Sequence, residues 1–238
     1  MLERRRGGEP LQYVLGTWSF RGIDLFVDRR VLIPRPESEV TAEVAIAEVQ
    51  RLGARRGRPD PWAGSDTAYV VADLGTGSGA LALALAAELP DAQVWATDVS
   101  EDALAVARAN LAGAGLPATR VRLAQGSWYE GLPEELRGRI LVIVANPPYV
   151  AEYEQLEAQV VDYEPDVALV GGETGYEAID EVVGGARDWL EPGGTLVCEI
   201  SPRLVEGAIE RAQTAGFPDA TVRPDLTGRP RVLVARLG

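Results

Sequence analysis

The chain has 238 residues, 46% of them apolar and 25% charged, which suits a globular protein of one full domain plus an appendage. It holds no histidine and one cysteine, Cys198, which excludes His-based acid–base catalysis, Ser-His triads, internal disulfides and Cys- or His-built metal sites. The net charge of -13 opposes a phosphate backbone, no run is apolar enough to span a bilayer, and no apolar stretch follows Met1–Arg6 as a signal peptide requires, so a cytoplasmic protein with no metal, no membrane contact and no direct nucleic-acid binding is expected.

Arg4, Arg5 and Arg6 read as a solvated tail. Tyr13–Gly16, Trp18–Gly22 and Ile23–Val27 are short alternations broken by glycine and predict a small β-hairpin element. Leu32-Ile33-Pro34-Arg35-Pro36-Glu37 predicts a stiff extended entry, because each proline disfavours helix in the residue before it. Residues 37–52 predict a helix with Val40, Val44, Ala47 and Val49 on its apolar side, and Gly53 to Thr67 a linker that also takes up Arg55, Arg56 and Arg58. From Ala68 strands and helices alternate: strands at 69–74, 93–98, 120–124, 140–145 and 194–200, and helices at 80–89, 101–114, 177–190 and 203–215, with Ser100 as an N-cap. Residues 220–224 and 231–235 are two strands joined by a short link, which suits an antiparallel pair. The expected fold is α/β: a Rossmann-like, doubly wound, mostly parallel seven-stranded sheet with one antiparallel strand, residues 61–238, behind a hairpin-and-helix lead-in, residues 1–60.

Asp73-Leu74-Gly75-Thr76-Gly77-Ser78-Gly79 links the first of these strands to its helix. Glycines let the backbone turn tightly and approach a ligand, and free N–H groups at the helix start face it. The spacing is neither the dinucleotide Gly-x-Gly-x-x-Gly nor a Walker loop. Asp73 would repel a pyrophosphate but suits a cationic amino group, and Asp98, ending the second strand, suits ribose hydroxyls. A nucleoside with an amino-acid tail fits all three features, which is S-adenosyl-L-methionine.

Asn146-Pro147-Pro148-Tyr149 ends the most apolar strand, where ligands of a doubly wound sheet bind. An amide or aromatic-amine nitrogen is a weak nucleophile with two N–H donors. The Asn146 side-chain oxygen and the Pro147 carbonyl can accept one each, the prolines hold the carbonyl direction, and Tyr149 offers a flat wall. Catalysis is then alignment plus preorganised acceptors, with no strong base needed. By itself the tetrapeptide does not choose between a glutamine amide and an adenine amine.

Together these residues resemble the HemK/PrmC family of peptide chain release factor glutamine N(5)-methyltransferases. Glu9–Gly16 is similar to that family's opening motif, Phe20 with Leu32–Glu37 to its linker hairpin and entry, and Tyr163-Glu164-Pro165 with Ala168-Leu169 to a further family segment. The resemblance implies a cofactor site of Asp73, Gly75, Thr76, Gly77, Gly79, Asp98, Ser127, Trp128 and Asn146. It implies catalysis by Asn146, Pro147 and Tyr149, and substrate binding by these with Pro148, Arg35 and Glu164. The implied product is S-adenosyl-L-homocysteine and the implied partner a release factor, methylated at the Gln of its Gly-Gly-Gln motif, with a ribosomal protein as the other protein substrate considered; a monomer is expected. Two departures stand out: eight residues precede Glu9 where the family carries a helical domain, and Ser127 stands where the family often has Asp, a weaker acceptor for an adenine amine. The competing readings are an adenine N6-methyltransferase acting on RNA or DNA, which the net charge of -13 opposes, and a non-catalytic binding module of the same fold.

Overall fold

A computed structural model describes residues 1–56 and 69–238. The expected linker from residue 57 onward and the domain boundary at residue 60 lie outside the described residues.

The chain opens differently from the sequence expectation. Residues 2–6 form a short helix, α1, and Arg4 pairs with the buried Glu9 at 2.6 Å instead of trailing in solvent. Residues 11–15 form a second short helix, α2, not part of a hairpin. Pro10 precedes it with an extended backbone and Gly16 ends it at φ 72. Tyr13 and Val14, adjacent in sequence, are both buried, which a strand pleat would not allow against one core. The Tyr13 hydroxyl donates to the Val31 carbonyl at 2.5 Å. The hairpin itself is β1, Thr17–Phe20, and β2, Ile23–Phe26. Its two-residue turn has Arg21 at φ 47 and Gly22 at φ 75, the backbone that matches strand twist.

Helix α3, Ser38–Arg56, packs on the main sheet and runs on through residues 53–56, which were expected to open the linker. Its inner face is Ala42, Ala45, Ile46 and Val49, whereas Ala47, expected on the apolar stripe, is exposed. Glu48 lies on the inner side too, and is held by Arg51 at 2.6 Å and Arg236 at 2.7 Å.

The main sheet is built from β3 (Tyr69–Leu74), β4 (Ala92–Asp98), β5 (Val121–Gln125), β6 (Ile140–Ala145), β7 (Leu190–Glu199), β8 (Asp219–Pro224) and β9 (Pro230–Arg236). The strand order is β5-β4-β3-β6-β7-β9-β8, parallel except for β9, which runs antiparallel between β7 and β8. This is the expected seven-stranded sheet with one reversed strand. Helices α4 (Ala80–Glu88), α5 (Glu101–Gly113), α7 (Glu177–Trp189) and α8 (Val205–Thr214) are the principal helices that cover it, and a short helix α6, Ala158–Tyr163, was not foreseen. Ser100 caps α5, as expected, by accepting the Ala103 N–H at 3.2 Å. One buried cluster joins Tyr13, Phe20 and α3 to α4, β3 and β4, and a second fills the opposite face with α7 and α8. Every residue of β6 is at most 1% exposed, so truncating Ile143 to Ala should cost about 2–5 kcal/mol.

The sheet reverses its winding between β3 and β6, and the strand register there decides where the site falls. Leu74 pairs with Thr97 of β4 and with Ala145 of β6, and Ala145 pairs with Cys198 of β7. The next residues, Asp98, Gly75, Asn146 and Glu199, therefore leave four adjacent strands in one row at the carboxyl edge, where such sheets bind ligands.

Candidate active site

A cavity of about 330 Å³ sits over that row. Gly75, Thr76 and Gly77 form one wall, with Asp98, Ser127 and Trp128 beside them. Asn146 and Pro148 form the opposite side. Its roof comes from two segments distant in sequence, including Leu32 and Pro34 from the extended entry and Pro165 and Val167 from the segment after α6.

The glycine loop is tied to its own strand ends. The Gly75 and Thr76 N–H groups both donate to the Thr97 carbonyl at 2.9 Å. The Asp98 carboxylate accepts from the Gly77 N–H at 2.8 Å and the Ser100 N–H at 2.9 Å, which still leaves it lone pairs towards the cavity. Burial pushes the Asp98 carboxyl above the usual range, against those two N–H bonds. Gly75 is at φ 73, a backbone that favours glycine, and a Cβ there would sit 3.3 Å from the Trp128 ring, which would have to shift to make room. Trp128 itself is held at φ 46, an uncommon backbone for a large side chain, with its carbonyl accepting from the Thr97 hydroxyl at 2.7 Å.

Asp73 and Gly79, both expected at the cofactor, lie beneath the loop and outside the cavity wall. Gly79 starts α4 at φ 83. Asp73 is 0% exposed, and one carboxylate oxygen accepts from the Thr76 hydroxyl at 2.6 Å and the Ala82 N–H at 3.0 Å. The other oxygen, Oδ1, has no hydrogen-bond partner among the described residues. Burial pushes this carboxyl up to about 7, opposed by the Thr76 and Ala82 bonds. A buried acceptor left open under a glycine loop fits a cationic ligand group, and Asp98 with the Trp128 shelf fits a nucleoside. The residues present therefore suit S-adenosylmethionine.

In the turn after β6, the Asn146 side-chain nitrogen donates to the Ser38 hydroxyl at 3.2 Å, and its oxygen is the end left for a ligand. Pro147 is buried, and Tyr149 packs against the second core cluster with its hydroxyl 3.4 Å from Glu199, so neither forms part of the cavity wall. The Tyr149 carbonyl accepts from Arg203 at 2.8 Å.

Arg35 and Glu164, expected to bind substrate, are brought together as an ion pair at 2.6 Å. The other Glu164 oxygen accepts the Ile33 N–H at 3.2 Å, so this carboxylate clasps the two roof segments. The roof is also stitched to the turn: the Val150 N–H donates to Leu169 at 3.0 Å, and the Gly171 N–H to Val150 at 2.9 Å. A Cβ on Gly171 would collide with the Pro148 carbonyl.

Sequence reasoning missed Ser38, Thr41 and Glu199. Glu199 is 0% exposed and accepts the Thr41 hydroxyl at 3.0 Å. Its signal was a lone carboxylate closing the apolar run Leu196-Val197-Cys198 at a strand's carboxyl end. Ser38, inside a predicted helix start, carried none.

Residues 64–163 match the family model of the methyltransferase small domain. The chain is 40% identical over 236 residues to the release factor glutamine methyltransferase of Deinococcus radiodurans, covering 99% of this chain and 77% of that protein. It is 37% identical over 240 residues to the one of Geobacter sulfurreducens, covering 100% and 77%. Among solved structures, a methyltransferase from Pyrococcus furiosus shares the fold, with a TM-score of 0.61 at 21% identity over 100% of this chain and 98% of that one. With such identity along nearly all of its length, the chain belongs to the family of release factor glutamine methyltransferases.

Proposed function

We propose that this protein methylates the side-chain amide nitrogen of a glutamine, that of the Gly-Gly-Gln motif of a peptide chain release factor, with S-adenosyl-L-methionine as donor and S-adenosyl-L-homocysteine as product. The observation that carries the reading is the adjacency of Asn146 to the glycine loop, on paired strands at the switch point and in one cavity. When bound, S-adenosylmethionine supplies an electrophilic methyl group on a sulfonium. The chain's own residues do the rest. Asp98 faces the ribose end of the donor and Asp73, from beneath the loop, favours its cationic end by charge, with Trp128 and Ser127 at its base. The Asn146 oxygen, on the cavity wall, accepts an N–H of the substrate amide and so aims its nitrogen, and the Pro147 carbonyl, set behind that wall, is the candidate acceptor for the second N–H. As that nitrogen gains positive charge these acceptors stabilise it without moving, because the prolines and the Ser38 contact already hold them. Tyr149 and the Arg35–Glu164 clasp keep the turn and roof in place.

The net charge of -13 favours a protein over a nucleic-acid substrate. Among the described residues no helix is long and apolar enough to cross a membrane. The enzyme is read as a cytoplasmic monomer whose partner is the release factor. The test is incubation with labelled S-adenosylmethionine and, separately, a release factor, RNA and DNA, with the modified residue located by mass spectrometry. Label on the Gly-Gly-Gln glutamine is expected. Label on adenine alone sinks the proposal.

A further inference from the structure

We infer that Glu199 decides which end of the Asn146 carboxamide faces the cavity, acting through the Ser38 hydroxyl as a positioning residue. The inference rests on the amide-methylation reading above for its catalytic meaning, but its geometry stands apart from the identity of the substrate.

A carboxamide turned by half a rotation keeps its shape and exchanges an acceptor for two donors. Asn146 can hold an N–H of the substrate with its oxygen alone; with the nitrogen inward, donors would face donors. Something must therefore set the orientation. Asn146 meets the Ser38 oxygen at 3.2 Å, and Ser38 is 4% exposed. A hydroxyl alone does not decide, since it can either donate or accept.

Glu199 removes that freedom. It is 0% exposed, leaves β7 beside the β6 end that carries Asn146, accepts the hydroxyls of Thr41 and Tyr149, and faces Ser38, which stands one turn before Thr41 on α3. An ionised carboxylate accepts and cannot donate. With Glu199 ionised, the Ser38 proton points to it, and Ser38 keeps lone pairs alone for its other neighbour. Asn146 must then turn its nitrogen to Ser38 and its oxygen to the cavity. Burial pushes the Glu199 carboxyl up, with Glu37 adding to the rise, while the Ser38 and Thr41 hydrogen bonds and the Arg231 charge hold it down. The converging hydroxyls are what an ionised group at 0% exposure requires. Glu199 forms no part of the cavity wall, so it acts on the reaction through Ser38 and Tyr149.

The test uses Glu199→Gln, Ser38→Ala and Ser38→Thr in the full chain, with release factor as substrate. Glu199→Gln and Ser38→Ala should each lower kcat by about 10- to 100-fold, the scale of a misaligned reacting group. Kd for S-adenosylhomocysteine should stay at the wild-type value in Glu199→Gln, a residue outside the cavity wall. Ser38→Thr, which keeps the hydroxyl, should restore most of kcat. The Glu199→Gln/Ser38→Ala pair should be no slower than the slower single variant, because one chain of bonds is being cut twice. The Asn146 carboxamide protons, assigned by their loss in Asn146→Ala, give a readout free of activity: their NMR shifts and solvent exchange should change in Glu199→Gln and Ser38→Ala. Wild-type Asn146 signals in both variants would overturn the inference, as would additive losses of kcat in the pair. A wild-type enzyme that fails to label release factors would instead sink the substrate reading, and the Asn146 signals would still decide the orientation.

Discussion

The two sides of the cavity are built in opposite ways. On the donor side the bonds are short in sequence: Thr76 to Asp73 spans 3 residues, Ala82 to Asp73 spans 9 and Gly77 to Asp98 spans 21. On the acceptor side they are long: Asn146 to Ser38 spans 108, Arg35 to Glu164 spans 129 and Thr41 to Glu199 spans 158. A loop held by its own strand ends forms as soon as β3, α4 and β4 pack. A turn held by α3, the roof and β7 has its geometry set only when the whole sheet has closed. The donor side should therefore tolerate distant substitutions, and the acceptor side should not.

Four measurements would break or sharpen this contrast. The largest effect is expected for Asn146→Ala, which removes the acceptor itself: kcat should fall by about 100- to 1000-fold with S-adenosylhomocysteine affinity kept. Steady-state kinetics beside calorimetric titration would show it, and an equal loss in binding would mean the two sides are not separable. Asp98→Ala should do the reverse, weakening cofactor affinity by about 10- to 100-fold, the scale of hydrogen bonds to a charged group, with the release factor KM unchanged. Arg35→Ala leaves the Glu164 side chain, 2% exposed, without its cation and should cost about 2 kcal/mol in chemical denaturation. Glu164→Gln should cost less, because Arg35 is 29% exposed and reaches water; equal costs would argue against the clasp.

The smallest effect is a slope. Asp73 is pushed up to about 7 by burial, so the folded chain binds a proton there that the unfolded chain has released above its usual carboxylate range. Stability of the ligand-free protein should therefore fall as pH rises towards about 7 and then level off. A cationic ligand group favours the ionised form, so cofactor affinity should rise over the same window. Melting curves between pH 5 and 8 for wild type and Asp73→Asn would check the stability slope, and identical slopes would mean that Asp73 does not titrate in this window.

The same contrast separates what could be read early from what could not. The loop from Asp73 to Gly79, the pairing of that loop with Asp98, and the apolar strand ending in Asn146 were all legible, because each is a local pattern whose spacing along the chain is its geometry. The opening segment was misread: Tyr13 to Gly16 alternates loosely like a strand, but Pro10 before it and the φ 72 of Gly16 after it make a helix. Arg35 and Glu164 were found and assigned to substrate, yet nothing in their spacing tells that they meet each other.

By itself, then, the sequence determined the doubly wound class and marked the glycine loop and the Asn146–Tyr149 turn as the segments that meet at the carboxyl edge. The tertiary structure alone decided that Ser38 meets Asn146, that Glu199 stands beside it, and that Asp73 lies under the loop with one oxygen open. The physical reason is register. The row of Asp98, Gly75, Asn146 and Glu199 exists because β4, β3, β6 and β7 end level, and that alignment comes from packing four strands of buried side chains, not from any spacing along the chain.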